Sequence, residues 1–184
     1  MGGTILTDTR QQAGKHVIKD EWWASHGVST VRVKLDFGDY MTDGSNVSVD
    51  TKRSVGEIAQ NISGKNHDRF KRECIRARDA GYRLVILVEN REKVREIGDL
   101  YKWTNDHCRA CGTRRQGKCD PRSSSGKCPR HRTRKPIQGP RLAKAMQTMG
   151  ERYDVEFMFC DPRDTARIIC ELLGVEYEQD AASC

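Results

Sequence analysis

Apolar positions along this chain recur at two spacings, and the switches between them outline the elements. Residues 3–8 (GTILTD) form a short apolar run closed by an acid, the pattern of a buried strand. Residues 19–26 (KDEWWASH) read as a helix that stops at Gly27. Val31, Val33 and Leu35 alternate with Arg32, Lys34 and Asp36, which predicts a strand with one buried face, ended by Gly38-Asp39. Residues 46–51 (NVSVDT) repeat the pattern, with Val47 and Val49 on one face. The turn residues Thr42, Asp43, Gly44 and Ser45 lie between, so the two strands read as a hairpin. Ser54 with Glu57 three residues on is a capping box for a helix carrying Val55, Ile58 and Ile62. A second helix starts near His67, places Phe70, Cys74 and Ala77 on one face and stops at Gly81. Residues 83–89 (RLVILVE) are almost continuously apolar, as a central strand covered on both faces requires. Residues 91–103 read as helical.

The pattern breaks at residue 104. From 104 to 136 the only aliphatic side chain apart from cysteine is Ala110, and Gly, Ser, Pro and Arg dominate. Such a stretch cannot bury enough apolar surface to offset the entropy of ordering it. Regular patterning returns with a helix over 141–153 (Leu142, Ala145, Met146, Met149), a strand over 155–160 (VEFMFC) and a helix over 164–173 that ends at Gly174. The reading is an α/β fold: a mixed sheet built from 1–103 and 137–178, interrupted by an insert at 104–136.

Composition narrows the function classes. The 184 residues suit one core plus a small insert. No run approaches the roughly 18 apolar residues of a membrane span. The opening MGGTILTDTRQQ has no apolar h-region, so the expected location is the cytoplasm and not a secreted or membrane compartment. The net charge is +7. Between Cys108 and Arg141, eleven Lys and Arg stand against the single acid Asp120, a net +10, so the rest of the chain carries about −3. A local cationic segment points to a phosphate-bearing partner.

Candidate chemistry lies at the strand ends. Asp8, Asp39 and Asp50 each close a strand or a turn, and Lys52 follows Asp50 by two residues. Strand alternation puts 50 and 52 on one face. Carboxylates that hold a hard cation such as Mg²⁺, beside a lysine that stabilises negative charge or orients water, suit metal-dependent phosphodiester cleavage. On Asp-x-Lys alone, an ordinary polar strand face is the better account.

The order of the motifs changes that balance. Asp8-Thr9-Arg10-Gln11, then Gly38-Asp39-Tyr40, then Asp50-Thr51-Lys52 with Glu57 behind it, then Arg69-Phe70, the strand 84–89 and Asp164-Thr165-Ala166 near the end together resemble the XPF-type nuclease domain. That domain is a branch of the PD-(D/E)XK restriction-like superfamily. The resemblance covers most of 4–90 and 138–174. It implies a restriction-endonuclease-like sheet flanked by helices. It also implies a DNA endonuclease acting on branched or flapped DNA, with repair or recombination as its setting. By resemblance Asp39 and Asp50 bind Mg²⁺ or Mn²⁺, Lys52 is the catalytic lysine, Asp8 and Arg10 complete the site, and Arg69 meets phosphate. The sequence departs from the family pattern at four places. Asp50 stands for the usual Glu, Thr51 for Arg, Gln11 for Glu, and Glu57 lies one residue late. The family often pairs with a second copy, so a homodimer is implied by resemblance only. A tandem helix-hairpin-helix domain is not expected in the ten residues after Gly174, so the insert is expected to help grip DNA.

Within the insert, Cys108-x-x-Cys111-Gly is a knuckle, Cys128-x-x-His131 is a second pair, and Cys119 lies between. Zinc takes four N or S ligands in a tetrahedron. Five candidates compete for four places, and the spacing does not say which is spare. A structural zinc could fold a segment without a core; a basic loop with incidental cysteines is the alternative. Arg114, Arg115, Lys118, Lys127, Arg130, Arg132, Arg134 and Lys135 would then face nucleic-acid phosphate, without distinguishing DNA from RNA. A bacterial or phage genome-processing setting suits such a domain. The rival function is a non-catalytic DNA-binding or adaptor module on a degenerate nuclease fold. Trp22 and Trp23 are expected to pack rather than stack on bases. His67 is expected to be ordinary surface, and Cys74, Cys160 and Cys170 to be small core residues.

Overall fold

The computed structural model describes residues 3–11, 14, 16–105 and 136–179. Strands β1 (Thr4–Asp8), β2 (Ser29–Val33), β3 (Tyr40–Thr42), β4 (Val47–Lys52), β5 (Arg83–Glu89) and β6 (Val155–Cys160) form one sheet in the order β2-β1-β3-β4-β5-β6. β3 is antiparallel to both neighbours; the other pairings are parallel. Helices α1 (Val17–Ser25) and α5 (Thr165–Leu173) contribute to a core on one face with Trp23, Tyr40, Val49, Val85 and Leu87. Helices α2 (Val55–Ser63), α3 (His67–Asp79) and α4 (Gly139–Tyr153) cover the other face, over Leu84, Ile86 and Val88. β5 thus sends alternate side chains into two cores, as its unbroken apolar run requires.

Two sequence expectations need correction. The hairpin joins β3 to β4 through the Thr42–Ser45 turn, not the 31–35 strand to β4. β2 instead lies parallel to β1 at the sheet edge and is largely exposed; the buried Leu35 and Phe37 lie beyond its end. The expected helix over 91–103 is only a 3₁₀ turn at Ile97–Lys102. Before it, the Asn90 amide closes a loop, donating to the Val94 carbonyl oxygen (2.9 Å) and accepting from its N–H (3.1 Å). That loop includes Lys93 at φ +61, which no helix can continue through.

Elsewhere the local chemistry behaves as the sequence suggests. Ser54 Oγ accepts from the Glu57 N–H (3.1 Å), capping α2. Glu57 answers to the Arg53 N–H (3.0 Å) rather than to that of the cap residue itself. Gly174 ends α5 in the left-handed region. Trp23 is buried and donates to the Ala166 carbonyl oxygen, and Cys74, Cys160 and Cys170 are buried. The Asn105 N–H donates to Gln138 (3.2 Å), and the Gly139 N–H to the Trp103 carbonyl (3.2 Å). The described chain on either side of 106–135 therefore meets at one place. Gly139 is required there: a Cβ would lie 1.7 Å from the Leu100 carbonyl oxygen and 2.5 Å from that of Trp103. No helix among the described residues is long and apolar enough to cross a membrane.

Candidate nuclease site

The site assembles at one end of the sheet, where β1, the β2–β3 connection and β4 come together. Gly38 sits at φ +69, and a Cβ there would lie 2.2 Å from Ser48 Oγ. Only glycine lets the chain pass this close to β4 before Asp39. The Asp39 N–H then donates to the Val49 carbonyl (2.8 Å), and its own carbonyl accepts from the Asp8 N–H (2.9 Å). Asp39 is thereby stitched between β1 and β4. Its Oδ2 accepts from the Thr51 N–H (2.9 Å) and the Thr51 hydroxyl (2.7 Å).

β4 carries the rest. Val49 points into the α1/α5 core, so Asp50 and Lys52 face the other side together, as alternation predicts. Asp50 is 5% exposed and Lys52 9%. Lys52 Nζ donates to Asp50 Oδ1 (2.6 Å) and Oδ2 (2.5 Å), and it stands 5.7 Å from the centre of the buried Phe70 ring. Burial pushes the Asp50 carboxyl up; Lys52 pulls it back, but Asp39 and Glu73 repel it further, to about 7. Burial alone would lower the Lys52 ammonium. The Asp50 carboxylate, with Asp39 and Glu73 behind it, outweighs that and holds it above its ordinary value.

Asp8 is likewise buried. Burial would raise its carboxyl, but Arg10 outweighs burial and holds it below the usual range. The Arg10 N–H donates to Asp8 Oδ1 (3.0 Å), Nε to Oδ2 (2.6 Å), and Nη2 to the Leu35 carbonyl (2.7 Å). Asp39 and Glu73 lie within electrostatic reach of the same guanidinium. Asp8, Arg10, Asp39, Asp50 and Lys52 therefore come together. Glu57 does not join them; it stays with Arg53 at the start of α2.

Glu73 is the residue that sequence reasoning misses. From α3 its Oε1 accepts from the Gly38 N–H (3.3 Å). The one signal for it is position: Glu73 is three residues after Phe70, beside the apolar stripe of a helix in which Lys and Arg outnumber the acids. A second buried ion pair, Lys19 Nζ to Glu89 Oε1 (2.5 Å), is likewise absent from the sequence expectations.

A polar cleft of about 490 Å³ opens beside Lys52, lined by Arg53, Ser54, Glu57, Gln60, Asn66 and Arg69 among others. Arg69 and Lys52 line it together. Asp39 and Asp50 are the residues that could hold a hard divalent cation between them. Asp39 and Asp50 are carboxylates on adjoining segments, Glu73 adds charge, and one ammonium leaves the cluster with excess negative charge for a cation to relieve. Mg²⁺ is commonly held by one or two carboxylates and completed by water. Among the described residues there is no group of three or more His, Cys, Asp or Glu side chains that could hold a metal ion. The zinc candidates Cys108, Cys111, Cys119, Cys128 and His131, and the basic residues Arg114, Arg115, Lys118, Lys127, Arg130, Arg132, Arg134 and Lys135, lie outside the described residues.

No protein-family model matches this sequence, and no curated protein sequence matches it. Its fold is similar to that of XPF from Aeropyrum pernix, with a TM-score of 0.53 at 21% identity over 92% of this chain. The match spans 64% of the length of that XPF chain. The likeness supports the XPF-type arrangement of sheet and helices expected from the motif order.

Proposed function

We propose that this protein is a metal-dependent DNA endonuclease that hydrolyses phosphodiester bonds, with branched or flapped DNA among its substrates. The observation that carries the reading is the buried Asp50–Lys52 pair beside Asp39 and Glu73, at the mouth of a cleft containing Arg53 and Arg69. The XPF-like fold supports it. Asp39 and Asp50 would hold Mg²⁺ or Mn²⁺, which when bound polarises the phosphate and lowers the pKa of water. Thr51 and Gly38 fix Asp39. Lys52, packed on Phe70, supplies positive charge where the phosphate gains negative charge. Arg69 and Arg53 position the strand. Arg10 neutralises Asp8 and braces the loop that brings in Asp39. The segment with Cys108, Cys111, Cys119, Cys128 and His131 would bind one structural zinc and add its cations to the grip on DNA.

The binding-only reading is favoured by one feature: Lys52 occupies both Asp50 oxygens, closing the pair on itself. Labelled flap, fork and duplex DNA incubated with Mn²⁺ over a range of salt separates the two. Cutting that EDTA abolishes supports the nuclease; DNA bound but left intact under every condition supports the adaptor.

A further inference from the structure

A second cleft, of about 430 Å³, lies between α2, α3 and α4 and belongs to no function described so far. Lys71, Arg141, Lys144 and Arg152 line it together with His67, and no Asp or Glu does. We propose that this groove binds the phosphate backbone of the DNA as it leaves the candidate catalytic cleft, so that the two clefts form one track. This rests on DNA being the substrate.

Three observations place the groove on that path. The α2–α3 junction forms the common wall of both clefts: Asn61 and Asn66 line the first, and their chain neighbours Ile62 and His67 line the second. Along α3, Arg69 lines the first and Lys71 the second, so the two clefts flank one helix. Finally, Arg141 stands in the first turn of α4, which contains no acid, with Lys144 one turn on. Cations at the positive end of a helix are unfavourable for the helix itself. An anion lying in the groove relieves that repulsion.

The groove is built rather than incidental. Lys71 Nζ rests 5.8 Å from the centre of the Tyr153 ring, and the His67 Nδ1–H donates to the Ile62 carbonyl oxygen (2.6 Å). Both side chains are held by the fold, while Arg141, Lys144 and Arg152 are exposed at the rim.

The test is DNA binding with Mg²⁺ and Mn²⁺ left out, followed by fluorescence anisotropy of a labelled duplex from 50 to 200 mM salt. Removing one phosphate-binding cation lowers the slope of log K against log salt by about 0.9 on duplex DNA. Lys144→Ala/Arg152→Ala is expected to lower it by about 1.8 and to weaken binding uniformly across sequences. Lys144→Arg/Arg152→Lys is expected to keep the wild-type slope. Lys34→Ala, an exposed cation just after the edge strand β2, is expected to leave it unchanged. An unchanged slope in the alanine pair, with its melting curve intact, overturns the groove even if the enzyme cuts DNA. A lowered slope in a protein that never cuts leaves the groove standing and overturns only the nuclease. Matched RNA bound in preference to DNA, with the same decrease in slope, overturns the assignment to DNA.

Discussion

Thr51 stands where the XPF-type pattern has an arginine, and its hydroxyl and N–H both hold Asp39 Oδ2. A hydrogen bond to a charged group is worth about 1.5–3 kcal/mol. Thr51→Val keeps the shape and the N–H but removes the hydroxyl. It is expected to lower cleavage about tenfold while DNA affinity without Mg²⁺ or Mn²⁺ stays unchanged, which single-turnover rates and anisotropy would check. Asp50 makes a stability prediction. Its folded-state pKa, about 7, lies above the ordinary carboxylate value of 3.8. The folded state therefore holds this proton more tightly than the unfolded chain, and the associated stability is lost as pH rises from about 4 through about 7. Asp50→Asn removes the loss. In EDTA its melting temperature is expected to exceed that of wild type by a few degrees at pH 8 and to match it near pH 4. A variant no more stable at pH 8 contradicts the burial-and-repulsion account. Period-2 alternation makes the shared face of Asp50 and Lys52 legible in the sequence. Glu73 is not legible there, because its partner, the Gly38 N–H, is brought to it only by tertiary packing.

At the level of elements, the Gly38-Asp39 turn is the least tolerant piece of the site. Gly38→Ala adds a Cβ 2.2 Å from Ser48 Oγ at a positive φ. It is expected to lower the melting temperature by several degrees and to reduce cleavage more than Ser48→Ala does, since Asp39 moves with the turn. Equal activity in Gly38→Ala and wild type would contradict the placement. Helices are legible wherever caps and a 3.6-residue period coincide, as in α2 with Ser54 and α5 with Gly174. The edge strand misleads because pairing of β2 with β1 is non-local: the alternation of Val31, Val33 and Leu35 says nothing of the partner. Val31 is 48% exposed, and the burial falls on Leu35 and Phe37 beyond the strand. The stretch 91–103 misleads because a side-chain loop at Asn90 overrides local helix propensity.

For the whole molecule, charge and chemistry divide along the chain. The core carries the acid–lysine site, and the cationic excess lies in the Cys/His-rich stretch. If that stretch binds zinc, metal analysis of purified protein is expected to give about one zinc per chain, and Cys108→Ser/Cys111→Ser, which leaves three of the five candidates, to lose it while the core melting transition persists. Zinc content near zero in protein prepared under reducing conditions contradicts this. The α/β class and the central β5 strand can be read from the apolar pattern, and the grouping of Asp8, Asp39, Asp50 and Lys52 from the resemblance that motif order carries. The second basic groove cannot, since its cations come from α3 and α4, which meet only in the fold. The most direct test of the central claim is single-turnover cleavage of a labelled flap DNA with Mn²⁺, comparing wild type with Asp50→Asn and Lys52→Ala. The account predicts cutting by wild type and a decrease of at least a hundredfold in both variants, with DNA binding retained. Equal cutting by all three, or none by any of them while all bind DNA, would contradict it.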